Sequence, residues 1–260
     1  MFAPKLRRRR SAEQRSGTMT IIEHLEELRG RLVKSFAAIG LASIAGWFLY
    51  GPIVDLLKGP YCDYWETIPK EFRTTDGCVL FYLGPLDGVI IKLKIVVFLG
   101  LALSLPIVLY QLWAFIVPGL TDRERKLALP FVLSSTLLFA AGAWVAYVTL
   151  PKALQFLLGF AGSCQLVPIL DGSRYLSFFM LVALAFGLSF EFPILLIFLT
   201  FAGVVSSSKL REWRRMALLL IAVFAAVITP SADPYTMLAM MVPMYLFYEA
   251  AIIVSRLFGK

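Results

Sequence analysis

Charge disappears from this sequence for roughly twenty residues at a time, and a chain built that way has to settle in a bilayer. Backbone polar groups find no water there, so each apolar stretch must close its own hydrogen bonds as a helix. The first stretch lies between Lys34 and Asp55. The second runs from Val89 to Val117, with Lys92 and Lys94 at its outer end. The third lies between Lys126 and Lys152, and the fourth runs from Leu176 to Val204 around a single charge, Glu191. The fifth, Met216 to Thr229, is short and reaches only about 20 Å as a helix. The sixth, Tyr235 to Val254, is interrupted by Pro243, which cannot donate a backbone hydrogen bond, and holds Glu249 near its end. Composition agrees. Charged residues make up 16% of the 260 and the mean hydropathy is +0.79, whereas a soluble domain carries about 25% charge. The expectation is an all-α integral membrane protein of six transmembrane helices.

The net charge of +8 would suggest nucleic acid in a soluble chain. Here the cations have another use. Of the 25 lysines and arginines, 18 fall before the first span, between the second and third, between the fourth and fifth, or after the sixth. The positive-inside rule then puts both termini in the cytoplasm. No interleaved aromatic and basic strip points to nucleic-acid binding. Residues 1–19, with Lys5 and Arg7 to Arg10, read as a disordered basic tail near anionic lipid. No apolar run follows closely enough for a signal peptide. Met19 is a candidate start, because the patterned sequence begins there, and residues 20–258 form one membrane domain.

The cysteines, Cys62, Cys78 and Cys164, all fall in the external loops, about 58–88 and 152–174. That side is oxidising in bacteria, so a Cys62–Cys78 bridge and free thiols both remain open. His24 is the only histidine, and no Cys/His spacing suits a metal. No cofactor is expected. The absence of H-E-x-x-H and G-x-S-x-G argues against an intramembrane enzyme.

Residues 20–33 read TIIEHLEELRGRLV, with Thr20 and Glu23 suited to a capping box at a helix start. Ile21, Leu25, Leu28 and Leu32 share a stripe, and Glu23 and Glu27 sit opposite. Spacing favours intrahelical pairs, Glu27 with Arg31 and Glu26 with Arg29. The other reading is a carboxylate kept available for a cationic ligand. Glu191 is sharper, because an ionisable group inside a span costs about 2.5–3.5 kcal/mol on insertion scales. A polar site facing a partner or ligand, and a protonated acid hydrogen-bonded inside the bundle, are its two readings. A proton-coupled secondary transporter would also suit Glu191, but the halves show no internal repeat.

The run His24-Leu25-Glu26-Glu27-Leu28-Arg29-Gly30-Arg31-Leu32 resembles the N-terminal signature of the TatC family. Residues 105–115 (LPIVLYQLWAF) resemble its second span, Glu124-Arg125-Lys126-Leu127 its first cytoplasmic loop, and residues 186–193 (FGLSFEFP) its fourth span. Thr229-Pro230 with Asp233, then Pro243-Met244-Tyr245, resemble its last external turn and sixth span. The resemblance implies a concave, glove-shaped receptor in the cytoplasmic membrane, not an enzyme. It would bind twin-arginine signal peptides and export folded proteins with single-span TatA/TatB-type subunits. It would draw on the proton-motive force and stand as several copies in the complex. Glu27 and Glu124 match the acidic signal-binding positions, with Arg29, Arg31 and His24 on the same surface. Glu191 matches the carboxylate of the fourth span, and Asp233 the acid at the last turn. Met237 stands where the family often has Gln.

The chemistry fits that implication. A guanidinium binds a carboxylate through paired, coplanar hydrogen bonds, and an ammonium cannot. Two carboxylates on separate elements therefore select two adjacent arginines over two lysines.

Overall fold

The computed structural model describes residues 21–69, 73, 77–116, 128–159, 170–201, 203–231 and 233–257. Among them the chain forms nine helices: α1 (Ile21–Phe48), α2 (Tyr50–Thr67), α3 (Asp87–Ile116), α4 (Ala128–Gly159), α5 (Gly172–Ser189), α6 (Phe192–Phe201), α7 (Ser207–Glu212), α8 (Arg214–Ile228) and α9 (Pro234–Leu257). Five stretches are long and apolar enough to cross a bilayer: Ile22–Phe48, Asp87–Phe115, Leu129–Gly159, Gly172–Phe201 and Pro234–Leu257. The sixth, α8, has 15 residues and spans about 22 Å. The architecture is the all-α, six-helix, concave membrane bundle that the sequence predicts.

Prolines decide where helices stop, with instructive exceptions. The expected helix over residues 20–33 is not separate from the first span. It continues without a break as α1, because nothing between Val33 and Trp47 removes a backbone donor. The break comes at Leu49, where Pro52 in the first turn of α2 has no N–H for the carbonyl of Phe48. Span four breaks the same way. Pro193 cannot donate to Ser189, so α5 ends and α6 restarts with Leu195 N–H donating to the Glu191 carbonyl at 3.2 Å. The sequence reading also had Pro243 interrupting the last span, yet α9 passes through it as one helix. Met240 and Met244, each at most 2% exposed, lie on either side of it in the chain.

Packing runs as a curved wall. α1 lies along α3; α3 touches α4 and α5; α4 packs closely on α5 and carries α2 and α9; α6 and α8 both lean on α9. The α4–α5 crossing is close because two glycines meet there. A Cβ on Gly142 would stand 2.6 Å from the Phe186 carbonyl oxygen, and one on Gly187 would stand 2.7 Å from the Phe139 ring. Small residues let membrane helices approach when lipid supplies no hydrophobic drive between them. The core includes Ile91, Ile95, Leu150, Leu176, Phe186 and Ile252, all 1% exposed or less. Large side chains such as Phe48, Leu137 and Val227 point outward, as they should when the solvent is hydrocarbon.

At the end where α2 stops and α3 and α5 begin, Cys62 and Cys78 form a disulfide, with their Cα atoms 5.4 Å apart. Phe81 forms a bridge with Asp171, and Gly172 N–H donates to the Phe81 carbonyl at 2.8 Å. The Tyr175 hydroxyl donates to the Leu57 carbonyl at 2.9 Å. These links tie α2, the strand-like segment after it and the start of α5 into one cap.

Candidate functional site

The face of α1 that meets α3 is polar at its N-terminal end and small further along. Glu27, Arg31 and Ser35 are half-buried there, and Gly46 is buried against Leu99. The apolar residues face the other way: Leu25, Leu28, Leu32 and Phe36 are all exposed. This is the reverse of a soluble amphipathic helix, and it follows from the apolar surroundings.

Arg31 reaches back one turn, donating through Nε (3.1 Å) and Nη2 to the same oxygen, Oε1 of Glu27. The intrahelical pair expected from spacing therefore forms. It uses only half of the carboxylate. Glu27 Oε2 is shielded from solvent, and among the described residues nothing donates to it. A buried acceptor left unmade costs about 1–3 kcal/mol, so this oxygen stands ready for a donor. One turn earlier, the His24 ring stacks on Phe115 at 4.4 Å, joining the start of α1 to the end of α3. Arg29 and Glu26 are exposed. Glu124 lies outside the described residues, in the segment that links the end of α3 to the start of α4. The tip of α1 and the root of that segment are thus brought together by His24 and Phe115.

Glu191 sits at the break between α5 and α6. Among the described residues its buried Oε1 accepts no hydrogen bond, and the fully buried Ser135 hydroxyl of α4 makes none. The two groups are near enough to interact, yet no bond of good geometry closes between them. A groove of about 730 Å³ opens beside them between α4, α6 and α9. Phe131, Leu138, Ile194, Phe201 and Phe247 are among its lining residues, and Ser134 is the polar one.

Asp233, the other predicted intramembrane residue, is not brought to Glu191. It is 1% exposed, and it caps α9. Its Oδ1 accepts from the N–H groups of Tyr235 and Thr236, each at 2.9 Å, and its Oδ2 accepts from the Thr236 hydroxyl at 2.6 Å. Sequence reasoning missed one pair. Arg214, at the start of α8, donates to Glu249 of α9, which also accepts from the Tyr245 hydroxyl at 3.3 Å. The signal was available: Glu249 is the lone charge within its apolar stretch, and Arg214 opens the preceding stretch at the same end.

A multi-span helical bundle with a concave apolar groove, an in-span carboxylate and a polar helix tip defines a membrane transport component. Its sequence relatives say which. A family model described as "Sec-independent protein translocase protein (TatC)" matches residues 23–243. Proteins described as Sec-independent protein translocase protein TatC align along nearly the whole chain. That of Frankia casuarinae is 47% identical over 96% of this chain and 69% of its own length. That of Koribacter versatilis is 37% identical over 98% and 91%. A crystal structure of the twin arginine translocase receptor TatC superposes with a TM-score of 0.71, at 32% identity, covering 92% of this chain and all of that one. The chain belongs to the TatC family. It is a multi-span membrane component of twin-arginine protein translocation and not a catalytic enzyme.

Proposed function

We propose that this chain is the subunit that recognises twin-arginine signal peptides, with Glu27 and Glu124 as the acceptors for the two guanidinium groups. The observation that carries the proposal is the divided carboxylate of Glu27. Arg31 holds and orients one oxygen, and the other is buried and unsatisfied. A guanidinium arriving at Oε2 completes that oxygen's hydrogen bonding in a site poor in water, where a charge-assisted bond is worth more than at an exposed surface. Glu124 belongs to the segment rooted at the His24–Phe115 stack, so it enters from a second element. Arg29 and Arg31 set the local charge, and Arg31 fixes the Glu27 rotamer.

The wider reading rests on the family. In it the chain exports folded proteins across the cytoplasmic membrane with single-span TatA/TatB-type subunits, as several copies, driven by the proton-motive force. Both termini lie in the cytoplasm, where 18 of the 25 lysines and arginines would then flank the spans. Glu191, with its free oxygen beside the apolar groove, supplies the polar contact for a helix or hairpin lying there. Asp233 caps the start of α9, whose far half, from Phe247 to Val254, lines the groove.

The test is binding of a signal peptide carrying Arg-Arg, against its Lys-Lys twin, to the purified protein in detergent. Preference for Arg-Arg, lost in Glu27→Ala and Glu124→Ala, is expected. Equal binding of the two peptides would end the receptor reading and bring a proton-coupled transporter back into consideration.

A further inference from the structure

A second polar cluster lies at the other end of the molecule, on the seam between α3 and α5. Lys94 is seven residues into α3, roughly 10 Å from its first residue. Its ammonium donates to the Ser177 hydroxyl of α5 at 3.0 Å. Among the described residues no carboxylate pairs with it. Arg174, one turn before Ser177 on α5, has an 87% exposed side chain and its Nε lies 3.4 Å from Asp171 Oδ2. With Asp171 taking one charge, the cluster keeps a net positive charge.

What lies beside the charges decides the ligand. Val97, one turn deeper on α3, and Leu181, one turn deeper on α5, are more than half exposed. So a cation, a hydroxyl and an arginine stand at headgroup depth, with bare apolar surface on the same seam toward the bilayer centre. We propose that Lys94, Ser177 and Arg174 bind the phosphate of an anionic phospholipid in the leaflet next to the external loops, its acyl chains lying over Val97 and Leu181. One phosphate neutralises the net charge, the Ser177 hydroxyl and the free guanidinium edge supply further donors, and the seam receives the chains. A lysine left alone at this depth would simply extend to the interface. Here it is held across to a neighbouring helix instead.

Native mass spectrometry of the full chain in detergent, with phosphatidylglycerol or phosphatidylcholine of the same acyl composition, tests this. Wild type is expected to retain phosphatidylglycerol selectively. The Lys94→Gln/Arg174→Gln variant should lose about fivefold in affinity for each charge removed. Lys94→Arg should bind as wild type. Salt should weaken binding to wild type itself, which puts the same question to a chain whose folding is not in doubt. Equal retention of the two lipids, unchanged phosphatidylglycerol binding by the double variant, or complete displacement by inorganic phosphate would overturn the assignment.

Discussion

Glu27 and Glu191 share one property: each has a buried oxygen that makes no hydrogen bond among the described residues. They differ in what stands beside them. Glu27 has a guanidinium on its other oxygen, and in the proposed function its second oxygen accepts from an incoming arginine. Removing it as Glu27→Ala should weaken Arg-Arg peptide binding about tenfold, the worth of one charge-assisted bond, while membrane insertion is unchanged. Isothermal titration with the two peptides checks it. Glu191 has a serine and an apolar groove for neighbours. Glu191→Ala should leave peptide affinity intact and lower export of folded cargo. Export assayed in a strain carrying only the variant decides the point, and wild-type rates would remove Glu191 from the mechanism. The two acids were visible in the sequence as residues. Their difference was not, because it depends on which side of each helix meets protein.

At the scale of elements, the spans were legible wherever charge vanishes, since helix formation in hydrocarbon leaves the backbone no alternative. What could not be read was continuity. Pro193 ends α5 while Pro243 leaves α9 whole, and the order of residues alone does not distinguish the two prolines. The glycine crossing is likewise silent in one dimension, because Gly142 and Gly187 are paired only by the fold. Gly142→Val should cost about 1–3 kcal/mol as overpacking, since the added carbons meet backbone that cannot swing away. A fall in thermal midpoint of the purified variant measures it. In α2, burial raises the pKa of Tyr61 and of Tyr64 above the usual phenol value. The unfolded phenols ionise near pH 10. The stability these residues contribute is therefore complete below that pH and is lost as pH rises through their higher folded values. Thermal melts between pH 8 and 11 should show a decline only at the alkaline end, and Tyr64→Phe should reduce it.

For the whole molecule, the disulfide-linked cap is the feature that closes distant parts of the chain on one another. The disulfide spans 16 positions, a loop whose closure stabilises by about 3 kcal/mol in the chain-entropy view. Cys62→Ser with Cys78→Ser should lower the thermal midpoint, and reductant should do the same to wild type but not to the variant. Identical melts with and without reductant in the wild type would show that the bridge carries no weight. Sequence placed both cysteines in one loop and left their pairing open, because pairing needs the distance between them.

The wall-like packing sets the order in which the chain can be assembled. α1 finds its partner α3 only after α2 has been passed over, so the first helix waits unaccompanied in lipid until the third arrives. α8 waits in the same way for α9, the helix that follows it and its main support. With 15 residues it is the span least able to hold itself across a bilayer alone. The last two helices pack as a hairpin, and the Arg214–Glu249 pair closes its open end, so the short helix is held by the one that follows it.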